Sequence, residues 1–303
     1  MRNEITAFVH DHPYRLLCTA TAAPNDYMEL GTSSEALGEM RRAEMLGMFF
    51  AHDGGETSKW RVKGHAQAPF WRWVCSWARA MRKPSDLGFD DAGFELPPLT
   101  QREHIVKAKT IQEDYLFEMP AISLDEQRDE LRRTLTERCE MAADLINAHS
   151  KPAVAWCHLN AEGHLLQKLI PDSVEIQGSD SDDKKEAVFH DFAAGRLRVL
   201  VTKPSIAGFG LNWQHCAHET FFPSHSYEAY YQAIRRCWRF GQTKPVTADI
   251  ISTEGQSRVL ANMNRKAEAA DRMFDFIVAH MRDELKIGKK QTATKKERIP
   301  AWL

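Results

Sequence analysis

The stretch LRVLVT, residues 197–202, predicts a short strand in the centre of a sheet, because its apolar residues nearly adjoin one another. Similar apolar stretches occur before and after it, separated by segments with the spacing of amphipathic helices. The predicted strands are 153–158, 173–177, 218–222 and 245–252, and the predicted helices are 161–169, 181–195 and 254–285. Strands that alternate with helices indicate βαβ units. The sequence therefore predicts an α/β fold with a mostly parallel sheet and helices on both faces.

The first half of the chain is less regular. YRLLCTA at 14–20 predicts one strand, and a stretch rich in tryptophan and basic residues follows it. Within that stretch a helical stripe is expected to face a core, and it consists of Phe70, Val74, Trp77 and Met81. Trp73 lies off this stripe. A strand-like stretch at 102–111 comes next, and then a long helix from Ser123 to His149, which Ser123 and Glu126 begin with a capping-box signature.

The composition is typical of a globular protein, and a chain of 303 residues is long enough for two domains. The sequence predicts neither a membrane span nor a signal peptide. The net charge is only −2, but residues 57–85 contain seven Lys or Arg and no Asp or Glu. Six basic residues also stand in the tail at 286–298. The six cysteines include no CxxC pair, so we expect reduced thiols, no metal site and a cytoplasmic location.

The stretch QAIRRCWRFGQ at 232–242 follows Ser226, from which the spacing of apolar residues as far as Trp238 predicts a helix. Its apolar residues form one narrow stripe, made of Tyr227, Tyr231, Ile234 and Trp238. Gln232, Arg236 and Arg239 fall on the opposite side. A rigid pair of guanidinium groups suits phosphate oxygens, because each presents a planar fork of donors. The alternative for this face is a solvated basic surface with no ligand.

Two glycines follow the strand at 197–202, in the stretch SIAGFGLNWQHC at 205–216. Gly208 and Gly210 allow close backbone approach at the carboxyl end of that strand. Ligands of parallel sheets bind at this end, so a phosphate or a nucleic-acid strand could lie there.

GFGLN and QAIRRCWRFGQ together resemble motifs V and VI of superfamily-2 helicases of the Swi/Snf type. VAWCH at 154–158 is similar to motif IV, and TATAAPNDYMELG at 19–31 resembles motif III of phage and bacterial members, except that Ala22 stands where relatives tend to have proline. The resemblance implies a RecA-like helicase C-terminal domain over residues 121–303. It also implies that residues 1–120 hold a truncated remnant of a first RecA-like domain and a helical, tryptophan-rich insertion.

The resemblance also implies roles for individual residues. Arg236 and Arg239 take the place of the arginine fingers that reach the phosphates of ATP across a cleft between two RecA-like domains. The residues implied near the nucleotide are Gln232, Gly208 and Gly210. The residues implied to couple hydrolysis to nucleic-acid contact are Thr19, Ala20 and Thr21. The residues implied to approach the DNA backbone are Thr202, Lys203 and His158.

Two motifs of these helicases do not occur in the sequence, namely the phosphate-binding loop GxxxxGK[ST] and a DExx segment at the end of a strand. Asp125-Glu126-Gln127-Arg128 matches DExx in its letters only, because it begins a predicted helix. We therefore expect ATP and Mg²⁺ to be held mainly by an absent N-terminal half, either lost from the gene or present as a separate polypeptide carrying both motifs.

The resemblance implies the motor half of a DNA-dependent ATPase that translocates along duplex DNA rather than along a single strand. The alternative is a non-catalytic nucleic-acid-binding module that retains the fold. In that module Trp60 or Trp73 would stack on bases, and the basic stretch would hold phosphates through Lys59, Arg61, Lys63 and Arg72. An inert remnant is a third possibility.

Overall fold

A computed structural model describes residues 2–53, 56–107, 124–208 and 210–292. The chain divides into two compact units, one of Met1–Gly93 with Glu268–Leu303 and one of Phe94–Ala267. The predicted segments instead met at residues 120 and 121. The difference arises because the strand at 99–106 pairs with the sheet of the second unit. That residues 1–120 derive from a first RecA-like domain stays a prediction.

Within the described residues the first unit contains four complete helices, the C-terminal part of a fifth, and a two-stranded antiparallel sheet. The helices are α1 Arg2–His10, α2 Leu30–Leu37, α3 Arg42–Phe49 and α4 Gln67–Trp77, and the strands are β1 Phe50–Asp53 and β2 Glu56–Val62. Its core joins α3 and α4 to the helix Ser257–Thr292, in which Met273, Ile277 and Met281 are buried. Aromatic rings supply much of this core. Phe49 and Phe70, for example, pack edge to face with ring centroids 5.5 Å apart.

The strand predicted at 14–20 does not form. Tyr14 and Leu16 are 93% and 85% exposed, and no strand of the described residues pairs with this segment. The Arg15 side chain instead donates to the carbonyl oxygens of His12, Ala36 and His10, at 2.9, 3.0 and 2.9 Å. A β-strand needs a hydrogen-bonded neighbour, which strand propensity alone does not provide.

The stripe predicted in α4 is partly confirmed. Phe70 and Val74 are buried, whereas Met81 is 66% exposed because the helix ends at Trp77. Trp73 is half-buried and stacks on Phe49 with ring centroids 5.5 Å apart. One face of Trp73 is therefore already occupied within the protein.

The second unit is built on a six-stranded sheet in which all neighbouring strands are parallel, in the order β3-β8-β7-β4-β6-β5. The strands are β3 Leu99–Val106, β4 Ala153–Trp156, β5 Ser173–Glu175, β6 Val199–Thr202, β7 His218–Phe221 and β8 Val246–Thr253. The helices are α5 Leu124–Arg133, α6 Leu135–Asn147, α7 Asn160–Leu169, α8 Asp182–Ala193, α9 Pro204–Ala207, α10 Tyr227–Ile234 and α11 Ser257–Thr292. From residue 268 onward, α11 belongs to the first unit. The predicted α/β class is confirmed.

Alternate residues of β4 face the two helical layers. Ala153 and Ala155 pack in the same core cluster as residues of α6 and α7. Trp156 points to the other face, where its ring lies 5.9 Å from that of Trp213, and Trp213 in turn contacts Phe192 of α8. The sheet is thus covered on both faces, as buried parallel strands require.

Local signals fixed several helix ends. The Ser181 side chain accepts a hydrogen bond from the Lys184 amide at the start of α8, and Gly195 follows that helix with a φ of +71°. The long helix predicted from Ser123 is two helices that meet at Thr134, and Ser123 itself lies outside the described residues. No helix in the described parts of the chain is long and apolar enough to cross a membrane.

Candidate functional site

The helix that was predicted to carry both arginines ends early. Helix α10 stops at Ile234, and Arg236 and Arg239 lie in the turns that follow. The Arg236 side chain turns back and donates from Nε to the Gln232 carbonyl oxygen at 2.9 Å. Gln232 and Arg236 are each only 7% exposed, so the continuous polar face predicted for this segment is wrong.

The apolar stripe of the same segment is partly confirmed. Tyr227 and Ile234 are buried, while Tyr231 and Trp238 are half-buried. Both half-buried rings contact the guanidinium of Arg235, whose Cζ lies 5.1 Å from the Tyr231 centroid and 4.3 Å from the Trp238 centroid. This cation–π arrangement gives the intervening arginine a structural role.

Arg236 and Arg239 converge on one neutral acceptor. The Nη1 atom of each donates to the carbonyl oxygen of Leu211 at 3.0 Å. Neither guanidinium forms a salt bridge within the described ranges, although the buried carboxyl of Glu219 interacts electrostatically with Arg236. Burial, and then the neighbouring charge of Arg239, lower the pKa of Arg236 from its ordinary value. The two cations therefore share the Leu211 carbonyl dipole, and Arg236 also donates to the backbone and side-chain oxygens of Gln232. An anion would stabilise this pair of like charges.

The glycine loop presents that acceptor. Gly210 has a φ of +76°, a conformation that side chains disfavour, and a Cβ at Gly208 would clash with the Pro204 carbonyl oxygen. The amide of Trp213 donates to the Arg236 carbonyl oxygen at 2.8 Å. Both glycines thus shape the turn that holds the arginines, and their contact with a nucleotide stays a prediction.

Sequence reasoning missed the role of Gln242. Its side chain is buried and donates to the carbonyl oxygens of Cys216 and Cys237 at 2.8 and 3.2 Å. Its Oε1 atom accepts hydrogen bonds from the amides of Thr243 and Lys244 at 2.9 Å each. The preceding Gly241 has a φ of +88°. The Gly-Gln pair that ends the predicted motif VI therefore fixes the turn after the arginines.

Glu219 is a second residue that sequence reasoning missed. It is fully buried in β7, and its Oε1 atom accepts a hydrogen bond from Trp156 Nε1 at 3.1 Å. Its Oε2 atom has no hydrogen-bond partner among the described residues. Burial raises the pKa of Glu219 to about 8, although the hydrogen bond from Trp156, the nearby Cys237 thiol and the charge of Arg236 oppose the shift. The sequence around Glu219, His218-Glu219-Thr220, is polar and does not predict that this side chain is buried.

The residues predicted to approach the DNA backbone lie at or just after the carboxyl ends of β4 and β6, which adjoin in the sheet. Thr202 is buried and its hydroxyl donates to the Ile176 carbonyl oxygen, so it does not present a surface contact. Lys203 is half-buried, and its Nζ atom donates to Asn160 Oδ1 at 2.5 Å. Contact of Lys203 with DNA stays a prediction.

His158 lies at the same edge but is held by the protein. Its Nε2 atom is 2.9 Å from the Phe222 carbonyl oxygen, which can only accept, so Nε2 carries the hydrogen. Burial lowers the pKa of His158 and favours the neutral ring. Its loop is fixed by Glu162, whose Oε2 atom accepts from the amides of His158 and Leu159 at 2.8 and 2.9 Å. This geometry favours a structural role for His158 over a phosphate contact.

Glu162 also forms a buried ion pair with Arg138 of α6. The Arg138 Nη1 atom lies 2.7 Å from Glu162 Oε1, and both side chains are fully buried. Arg138 further donates to the Leu131 carbonyl oxygen at 2.7 Å and to Thr134 Oγ1 at 3.2 Å. The pair therefore ties α5, α6 and the start of α7 to the carboxyl edge of the sheet.

The basic residues of the first unit differ in exposure. Arg61 and Arg72 are exposed, whereas Lys63 is half-buried and donates to the carbonyl oxygens of Gly47 and Met48 at 2.8 and 3.1 Å. Lys63 thus satisfies carbonyls at the end of α3. The side chain of Lys59 lies outside the described residues.

The residues predicted to couple hydrolysis to DNA contact do not lie on a strand. Thr19 and Ala20 are exposed, and the Thr21 amide donates to Thr19 Oγ1 at 3.1 Å in a local turn. Their role in coupling ATP hydrolysis to nucleic-acid contact stays a prediction. No group of three His, Cys, Asp or Glu side chains in the described parts of the chain is arranged to hold a metal ion.

Comparison with known proteins adds little to this geometry. No protein family matches the sequence, and no curated protein does. Among solved structures the chain is similar to the C-terminal part of the Fun30 ATPase domain, with 16% identity and a TM-score of 0.39. The similarity covers 55% of this chain and 57% of that one. A likeness at this level assigns no family, activity or partner to the protein.

Proposed function

We propose that this chain is the motor half of a DNA-dependent ATPase of the superfamily-2, Swi/Snf-type class, with Arg239 as the residue that contacts the phosphates of ATP. Arg236 is buried by its bonds to Gln232 and Leu211 and acts as the positioning residue of the pair. Arg239 is half-buried, and its acceptor among the described residues is the Leu211 carbonyl oxygen. The observation that carries the proposal is the convergence of two guanidiniums on one carbonyl oxygen, with no salt bridge to either of them among the described residues.

The residues of this site fit a phosphate but do not fit a magnesium ion. Guanidinium donors bind phosphate oxygens, and a phosphate would supply the negative charge that the Arg236–Arg239 pair lacks. Mg²⁺ requires carboxylate or phosphate oxygens. The proposal therefore assigns the metal and the main nucleotide contacts to a separate polypeptide that carries GxxxxGK[ST] and DExx. When bound, ATP supplies the phosphoryl group, and Arg239 stabilises the charge on it.

Replacing Arg239 with alanine is expected to weaken the binding of inorganic tripolyphosphate at least about tenfold, because a charge-assisted hydrogen bond is lost. Isothermal titration calorimetry at one low salt concentration measures this affinity in the full chain. Arg258→Ala is the matched control, since Arg258 is an exposed arginine of the same unit and lies on α11. Equal tripolyphosphate affinity of the Arg239 and Arg258 variants would contradict the proposal.

The pure chain is expected to release phosphate from ATP only at the background rate, even with Mg²⁺ and duplex DNA present. The reason is that arginines alone do not orient the attacking water or hold the metal. A phosphate-release assay with and without DNA checks this expectation. DNA-stimulated release that Arg239→Ala abolishes would show that no second polypeptide is needed.

The alternative function, a non-catalytic nucleic-acid-binding module, is favoured by the exposure of Arg72 and Arg61 in the first unit. Arg72→Ala is expected to reduce the dependence of DNA affinity on salt by about one ion, since one phosphate contact is lost. Lys63→Ala is the matched variant, and it is expected to keep that dependence because its ammonium already bonds Gly47 and Met48. Fluorescence anisotropy at several salt concentrations measures both slopes. Identical slopes in wild type and Arg72→Ala would exclude Arg72 from the interface.

A further inference from the structure

Two exposed phenylalanines of the second unit stack on each other next to the arginine turn. The rings of Phe94 and Phe240 have centroids 5.4 Å apart and an interplanar angle of 26°. They nevertheless remain 52% and 62% exposed. We propose that Phe240, backed by Phe94, is a stacking platform for the base of a nucleoside triphosphate whose phosphates contact Arg239. This inference rests on the proposed role of Arg239.

Two side-chain hydrogen bonds hold the turn that contains Phe240. Trp238 Nε1 donates to the Pro97 carbonyl oxygen at 2.7 Å, which joins the turn to the segment that follows Phe94. Gln214 Nε2 donates to the carbonyl oxygen of Phe240 itself at 3.2 Å. Gly241 then leaves the turn in a left-handed conformation. A ring held in this way loses little further freedom when a ligand covers it, which favours binding.

The neighbouring charge selects the kind of ligand. Arg239 directly precedes Phe240 in the chain, and within the described part of the unit its guanidinium donates to the Leu211 carbonyl oxygen and forms no salt bridge. An apolar protein surface placed here would bury this cation without a counter-charge, which costs free energy. A nucleotide satisfies both features, since its base has an aromatic face and its phosphates are anionic. The two residues together therefore match a nucleoside triphosphate.

The test compares the affinities of ATP and inorganic tripolyphosphate for the full chain, measured by calorimetry in the same buffer. In the wild type, ATP is expected to bind about fivefold or more tightly than tripolyphosphate, because the base adds stacking. Phe240→Ala is expected to abolish this ratio and leave tripolyphosphate affinity unchanged, and Phe240→Trp is expected to retain the ratio. Ile105→Ala removes another exposed apolar side chain of the same unit and serves as the control.

The outcomes separate this inference from the proposed function. A ratio near one in the wild type, or an unchanged ratio in Phe240→Ala, overturns the platform while tripolyphosphate binding through Arg239 still stands. A loss of self-association in Phe240→Ala, measured by light scattering, together with an unchanged ratio, assigns the ring pair to contact between two copies. If the wild-type chain does not bind tripolyphosphate, both proposals are overturned.

Discussion

Replacing Glu162 with alanine is expected to lower the free energy of unfolding by about 3–5 kcal/mol, because Arg138 would remain buried without its counter-charge. Both side chains of this pair are fully buried, and their charged atoms lie 2.7 Å apart. The substitution also leaves the amides of His158 and Leu159 without their acceptor. Urea unfolding followed by tryptophan fluorescence measures the loss.

A double-mutant cycle distinguishes the ion pair from simple loss of packing. Combining Glu162→Leu with Arg138→Met removes both charges, and this double variant is expected to be more stable than either single variant. Lys168→Ala is the control on the same helix, since Lys168 is exposed and its replacement should change stability by less than about 0.5 kcal/mol. If Glu162→Ala behaves like Lys168→Ala, the pair does not stabilise the fold.

The second unit could be predicted well because its signals are local. Apolar strands such as 199–202, the Ser181 cap and Gly195 each determine structure within a few residues. Parallel strands buried on both faces have continuous apolar sequences, so the order of strands and helices indicates the fold class directly.

The errors occur where distant contacts decide the structure. Periodicity extended the arginine helix to Trp238, but the bonds of Arg236 to Gln232 and Leu211 place Arg236 in a turn after the helix end. Strand propensity at 14–20 had no pairing partner among the described residues. Periodicity also cannot show that Gln242 and Glu219 are buried, because their surroundings come from other elements.

The pH dependence of stability is expected to contain an unusual contribution from Glu219. Burial raises its pKa in the folded protein to about 8, from its ordinary value of 4.5. Between these values the folded state holds a proton that the unfolded state has released, so the folded state binds more protons. Stability from this group is therefore present below pH 4.5 and is lost as the pH rises toward 8, by at most about 1.4 kcal/mol per pH unit.

Glu219→Gln removes this titration and keeps the shape of the side chain. The variant is therefore expected to gain stability relative to the wild type between pH 5.5 and pH 8, by about 1–3 kcal/mol. Histidines with lowered pKa values, such as His149 and His158, act in the opposite direction, since their contribution grows as the pH rises. Both proteins share those histidines, so the difference between their urea unfolding curves isolates Glu219. If the stability of the two proteins instead changes with pH in parallel, Glu219 does not titrate in this range. The carboxyl would then already be ionised, because the charge of Arg236 lowers its pKa.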